Sequence, residues 1–188
     1  MKKIIVSLAL TFAVAFTATA EPAKALKVGD AAPTFKIKDT TGKQINLKKL
    51  TAKGPVLVRL TCGCLGCDRE LPYFQAVHEA YKKQGIQFVA IFAEPDEKFA
   101  TYVKTKKLNM LYATDPKRTS WPVFGTKTMP SNFLIDKGGK VIAISKGCDP
   151  SGLIANKIGN QAATLVKADT VDIKKQVDKN KKLATPKK

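Results

Sequence analysis

Apolar residues along this chain follow two rhythms, one of period two and one of period 3.6, and the alternation between them predicts the order of elements. Phe35-Lys36-Ile37-Lys38 alternates, Asp39 to Lys43 turns, and Gln44-Ile45-Asn46-Leu47 returns, which predicts a hairpin. Pro55-Val56-Leu57-Val58-Arg59-Leu60 is a short, mostly aliphatic run suited to a strand buried on both faces. Leu71, Phe74, Val77 and Tyr81 then recur at steps of three and four, so a helix is expected from about 65 to 84, kinked at Pro72. Ile86 to Ala93 reads as a second buried strand, and 96–107 as a helix with Asp96 as N-cap and Phe99 and Val103 facing inward. Residues 109–114 form a short strand or a turn, and 115–125 hold too many breakers to assign. Asn132 to Asp136, the turn at 137–140 and Val141 to Ser145 give the strongest hairpin signal, followed by Asp149-Pro150 as N-cap and first residue of a helix burying Leu153, Ile154, Ile158, Ala162 and Leu165. Two βαβ units follow from this order, hence an α/β fold.

The ends of the chain do not share these rhythms. Lys2 and Lys3, an apolar stretch from Ile4 to Ala18 and Ala18-Thr19-Ala20 before Glu21 match a cleavable signal peptide over 1–20. Its apolar run is shorter than the ~20 residues that span a bilayer, so no stable membrane insertion is expected after cleavage. Residues 167–188 carry eight lysines, three aspartates and few apolar side chains, and read as a Lys-rich helical or frayed tail. Between them, 27–166 is one domain, and 188 residues with 44% hydrophobic and 26% charged content suit a single globular unit expected to be monomeric. The 33 basic and 15 acidic residues give a formal charge of +18. Yet only Arg59, Arg69 and Arg118 are arginines, and the lysines are spread over every segment. That is a solvated basic coat favouring acidic partners, without the arginine and aromatic clustering of a nucleic-acid reader.

The chemistry concentrates in Thr61-Cys62-Gly63-Cys64-Leu65-Gly66-Cys67, three of the chain's four cysteines at a strand-to-helix junction. A helix N-terminus offers unpaired N–H groups and a positive potential, and both favour thiolate over thiol. Cys64 is therefore the expected nucleophile, with Cys67, one turn on, as the resolving cysteine. Export places both where disulfides persist, periplasmic or secreted.

Three stretches resemble the exported TlpA/ResA-type thiol-disulfide proteins and the AhpC/TSA-like redoxin group: Val28-Gly29-Asp30-Ala31-Ala32-Pro33-x-Phe35, Cys64-x-x-Cys67-x-x-Glu70-x-Pro72, and Met129-Pro130-Ser131-Asn132-Phe133-Leu134-Ile135-Asp136 with Gly139-Lys140. The resemblance implies a thioredoxin fold, a central mixed β-sheet flanked by helices with an N-terminal β-hairpin extension. It implies disulfide exchange with protein thiol or disulfide substrates, a redox partner that recharges the dithiol, antioxidant activity, no cofactor and no resident metal. By the same resemblance Pro130 is a cis proline facing the dithiol, Met129, Leu65 and Gly66 meet substrate, and Glu70 is a catalytic carboxylate, with Glu94 a second candidate. The alternative for Glu70 is a solvated helix-face residue paired with lysine. The pattern also departs from the family: Gly63 replaces an aromatic residue, Leu65-Gly66 replaces Gly-Pro, and Arg59 occupies a strand position where a small polar residue is usual.

Cys62 and Cys148 fall outside the dithiol. Strand 141–145 is expected to run parallel to strand 55–60, which brings Cys148 to the same end of the sheet. The two thiols form a second disulfide, remain poorly reactive, or relay oxidising equivalents; if bridged, the 85-residue loop favours the fold by ~4 to 5 kcal/mol. Two other activities compete. Thr61-x-x-Cys64 matches part of a peroxiredoxin motif but has Leu57 where proline belongs, and Cys62, Cys64 and Cys67 offer three thiolates to Cu(I) or Zn(II), with Cys148 as a fourth. His78, the sole histidine, lies too far along the helix to pair with Cys64, and Trp121 is read as a packing residue.

Overall fold

Three apolar runs lie side by side at the centre of a five-stranded sheet. The computed structural model describes residues 24–184, so the signal peptide expected at 1–20 lies outside the described residues. In chain order the elements are β1 (Lys36–Lys38), β2 (Gln44–Asn46), α1 (Leu47–Thr51), β3 (Val56–Thr61), α2 (Leu65–Tyr81), β4 (Gln87–Phe92), α3 (Asp96–Lys106), β5 (Leu111–Thr114), α4 (Ser120–Val123), β6 (Ser131–Ile135), β7 (Val141–Lys146), α5 (Leu153–Val166) and α6 (Ile173–Ala184). The sheet order is β5-β4-β3-β6-β7, with β1 and β2 forming a separate hairpin. β3, β4 and β5 are parallel neighbours, while β6 runs antiparallel to both β3 and β7. β7 is therefore parallel to β3, as expected, and the loops after β3, β4 and β7 all leave at the same end of the sheet.

Each face of the sheet carries its own core. Leu57, Phe88, Leu134 and Ala143 pack under Phe74, Val77 and Tyr81 of α2 and Ile158 and Ala162 of α5. Val58, Leu60, Val89, Ile91 and Phe133 pack on the opposite face with Phe35, Ile45, Trp121 and Phe124. Because β3 is covered on both sides, all six of its residues are buried, which is why its sequence reads as a run without alternation. The leading segment is stitched to the β6–β7 hairpin: Gly29 donates to Val141 O at 2.8 Å and Ala32 to Gly139 O at 2.7 Å.

Several boundaries differ from the expected ones for local reasons. Pro95, not Asp96, is the N-cap of α3. α5 begins at Leu153 instead of 150, because the Asp149 carboxylate folds the intervening residues into a turn, accepting from Ser151 N at 3.0 Å and Ile154 N at 2.7 Å. The unassigned 115–125 stretch contains the short α4, held by Asp115, which accepts from Thr119 N and from Ser120 N at 2.7 Å. The end of the chain, expected to be a helical or frayed tail, is helical. Residues 173–184 form a helix docked on α2 and α5, with Ile173 fully buried, Val177 nearly so, and Tyr73 donating to Asp178 at 2.6 Å.

Candidate active site

The end of β3, the central strand, delivers the cysteines to one end of the sheet, and α2 starts on them. Cys64 is the N-cap of α2 in an extended conformation, and its carbonyl accepts from Asp68 N at 2.9 Å. Its thiol is exposed, whereas Cys67, on the inner side of the first turn, is 2% accessible. Cys62 Sγ lies 2.7 Å from Cys64 Sγ, as donor, and 3.3 Å from Cys67 Sγ. The Cys62 S–H bond is the largest cause holding the Cys64 thiol below its ordinary pKa, aided by the backbone N–H groups of Cys67 and Gly66. The same arrangement, dominated by lost hydration, pushes the Cys62 thiol well above its usual range. An exposed thiol that ionises early above a buried partner is what disulfide exchange requires.

Cys148 arrives from the loop after β7. Its sulfur sits 2.9 Å from where a Cβ on Gly66 would be, so Gly66 leaves the space it occupies. Lost hydration and the neighbouring Cys67 push its thiol up to about 11, although the residue as a whole is exposed. Cys62 contacts Cys64 and Cys67, and Cys148 contacts Gly66 and Cys67; all four are free thiols, so neither Cys64–Cys67 nor Cys62–Cys148, one of the alternatives read from sequence, is closed as a disulfide here.

The Met129–Pro130 peptide bond is cis. Leu60 pairs with Ser131, so Pro130 stands just past the end of β3, alongside the cysteine loop. Gly147 N donates to Pro130 O at 2.9 Å, which ties this corner to the loop carrying Cys148. Met129 is half-buried, and Leu65, next to Cys64, is 69% exposed.

Glu70 is not the solvated helix-face residue considered from sequence but a buried carboxylate one turn after Cys67. It is 1% accessible, its Oε2 accepts from Arg59 Nη2 at 2.8 Å, and its Oε1 accepts from Asp149 N at 2.6 Å. With both oxygens engaged it braces α2 against β3 and the Cys148 loop. Arg59, itself 1% accessible, also donates to Asn132 Oδ1 at 2.9 Å and lies 4.2 Å above the Phe74 ring. Asn132 in turn donates to Ser145 Oγ at 2.9 Å. The signal for this ladder was an arginine inside an otherwise aliphatic strand, with Asn132 and Ser145 at strand positions that the pairing places in line with it.

Glu94 is the carboxylate facing the cysteine loop. Its Oε1 accepts from Gly63 N at 2.6 Å, its Oε2 is buried without a partner, and lost hydration raises its pKa. Beside it, Tyr102 donates to Asp68, which also pairs with Lys106 at 2.7 Å. No spacing in the sequence links residues 34 positions apart, so Tyr102 and Asp68 were not foreseen as neighbours. The sulfurs of Cys62, Cys64 and Cys67 lie within 4.8 Å of one another, the one grouping among the described residues whose donors suit a metal ion. His78 stands apart, its ring 6.1 Å from that of Phe88.

Residues 28–144 match the AhpC/TSA family model. The thiol-disulfide oxidoreductase ResA of Bacillus cereus is 34% identical over 149 residues, covering 77% of this chain and 86% of that protein. ResA of Bacillus subtilis is 29% identical over 132 residues, covering 70% and 74%. Among solved structures, one assigned as the thiol:disulfide interchange protein DsbE from Chlorobium tepidum superposes with a TM-score of 0.68 at 26% identity, covering 76% of this chain and 99% of that one. The thioredoxin domain of a thiol-disulfide oxidoreductase from Bacteroides vulgatus, at 22% identity and a TM-score of 0.62 over 73% of this chain and 99% of that one, shares the fold. The thioredoxin-fold expectation is thereby met, and the chain belongs to the AhpC/TSA family, on the side of its ResA-like thiol-disulfide oxidoreductases.

Proposed function

We propose that this protein exchanges disulfides with protein substrates through Cys64 and Cys67 in the periplasm or outside the cell. The observation that carries this reading is the exposed Cys64 at the α2 N-terminus, ionising below its ordinary pKa, directly above the buried Cys67. Acting as a reductase, the Cys64 thiolate attacks a substrate disulfide; a mixed disulfide forms and one substrate thiolate leaves. Cys67 then loses its proton and attacks Cys64, the second substrate thiolate departs, and a Cys64–Cys67 disulfide remains for a redox partner to reduce. Run backwards, the same steps oxidise a substrate dithiol. Glu94, with one oxygen buried and unpaired beside this loop, is the group placed to carry a proton there. Exposed Leu65 and the backbone of Met129 would flank an extended substrate segment lying over Cys64. The signal peptide read from the sequence supports an exported site of action. The Thr61 hydroxyl donates to the Cys62 carbonyl at 3.4 Å and not to a cysteine sulfur, which favours the exchange reading over the peroxidase one.

Insulin reduction by the chain from residue 21 onward, supplied with dithiothreitol, tests the reading. Activity well above the uncatalysed rate is expected, and Cys64→Ser should abolish it. Wild-type turnover in Cys64→Ser would assign the chemistry elsewhere.

A further inference from the structure

Disulfide exchange uses two sulfurs, and the loop carries three that converge. Cys62 Sγ is 2.7 Å from Cys64 Sγ and 3.3 Å from Cys67 Sγ, and all three lie within 4.8 Å of one another. We propose that the reduced protein binds one Cu(I) ion through the Cys62, Cys64 and Cys67 thiolates.

Soft thiolate sets select Cu(I) and Zn(II) over harder cations. Cu(I) is satisfied by three thiolates, whereas a structural Zn(II) site closes with four. The count here is three, because Cys148 reaches Gly66 and Cys67 but is outside the converging group. With metal–sulfur bonds of ~2.3 Å, a trigonal ion holds its sulfurs ~4 Å apart. The two short separations must therefore open by about 1 Å, a side-chain rotation available to the exposed Cys64 and the half-exposed Cys62. Three thiolates around Cu(I) leave two negative charges in excess. The N-terminus of α2, whose Gly66 and Cys67 N–H groups point at Cys64, lies against them, and the chain as a whole is strongly basic. Cys64 is open to solvent, so an incoming ion can be passed from a donor thiolate or thioether by ligand exchange.

Binding displaces the thiol protons and leaves copper in the +1 state. When a substrate disulfide then accepts two electrons from Cys64 and Cys67, their sulfurs join in a disulfide and the substrate sulfurs leave as two thiolates, which take protons from water. Copper, still Cu(I), keeps only the Cys62 thiolate and dissociates. Metal occupancy thus follows the redox state of the dithiol.

The full chain, reduced and held anaerobically, is titrated with Cu(I) against bathocuproine disulfonate, with insulin reduction measured on the same preparation. One Cu(I) per chain, retained against the chelator, with three sulfur neighbours at ~2.3 Å by X-ray absorption, is expected. Altering groups around ligands costs 10- to 100-fold in affinity, so Cys62→Ser, which removes a ligand outright, should weaken binding by at least on the order of 100-fold. Circular dichroism shows whether that variant is folded, and Cys62→Ala serves if it is not. Oxidised wild type should release the metal. Loss of all copper to the chelator, or Cys62→Ser binding as well as wild type, overturns the proposal, and insulin reduction persisting in that wild-type sample leaves the exchange reading intact. Preference for Zn(II), abolished by Cys148→Ser, overturns the Cu(I) assignment in favour of a four-thiolate zinc site.

Discussion

At the scale of single residues, Cys62 sets the chemistry of its neighbour. Its S–H donation stabilises the Cys64 thiolate, so Cys62→Ala should move the pH midpoint of Cys64 alkylation upward and slow iodoacetamide labelling at pH 7. Cys62→Ser keeps a donor and should fall between that variant and wild type; identical midpoints in all three would remove Cys62 from the mechanism. Glu94 offers a second measurement. Burial raises its carboxyl pKa above the unfolded value of ~4.3, so its contribution to stability is complete below that pH and is lost as pH rises through the folded pKa. Relative to Glu94→Gln, the wild type should therefore lose urea stability as pH climbs from 4 to 8; a difference that does not change with pH would contradict the assignment. Sequence made the placement of Cys64 and Cys67 legible, because an aliphatic run followed by a helical period fixes the strand-to-helix junction on which they sit. It could not reveal that Cys62 points at both, since that depends on how the chain leaves β3.

Among the elements, β3 and α2 are joined by the buried Arg59–Glu70 pair. Taking one charge away strands the other in a dry interior, and such losses cost ~3 to 5 kcal/mol. Arg59→Ala should lower the urea stability by about that amount, whereas replacing both residues by Met or Leu of similar volume should cost less than the single change. Equal losses would mean that packing on Phe74, not charge, holds the joint. The strands and the two βαβ units were readable from hydrophobic period alone. The pair was not, because an aliphatic run buried on both faces conceals which of its positions looks toward α2. The start of α5 was misplaced for a similar reason: the side chain of Asp149, and not the ring of Pro150, sets the turn.

For the molecule as a whole, the C-terminal segment belongs to the folded body. Composition pointed to a tail, since two well-placed apolar residues hardly alter an average. Ile173 and Val177 are nonetheless buried against α2 and α5, Val171 N donates to Tyr81 Oη at 2.9 Å, and Lys181 lies 4.2 Å over the Tyr73 ring. Ending the chain at residue 170 should cost about 3 to 6 kcal/mol, at ~1.5 to 3 for each large side chain re-exposed. Urea unfolding that matches the full-length protein would restore the frayed-tail reading. The net charge of +18 acts over longer range. Reduction of an acidic disulfide substrate should slow as salt rises from ~0.01 to 0.5 M, over which the screening length shrinks several-fold, while a neutral substrate should respond little.

The polar ladder from Arg59 through Asn132 to Ser145 also bears on how the chain finds its fold. Arg59 faces Asn132 across the β3–β6 pairing, and Asn132 faces Ser145 across β6–β7. If β6 slipped by a single residue, its side chains would exchange faces, and Arg59 would meet Phe133 or Ser131 in place of its amide partner. The apolar residues of β6 tolerate that error, since both faces of the sheet are greasy; a guanidinium shut away from water does not. The one charge in an otherwise uniform strand thus rejects mispaired sheets that the surrounding aliphatic residues would accept.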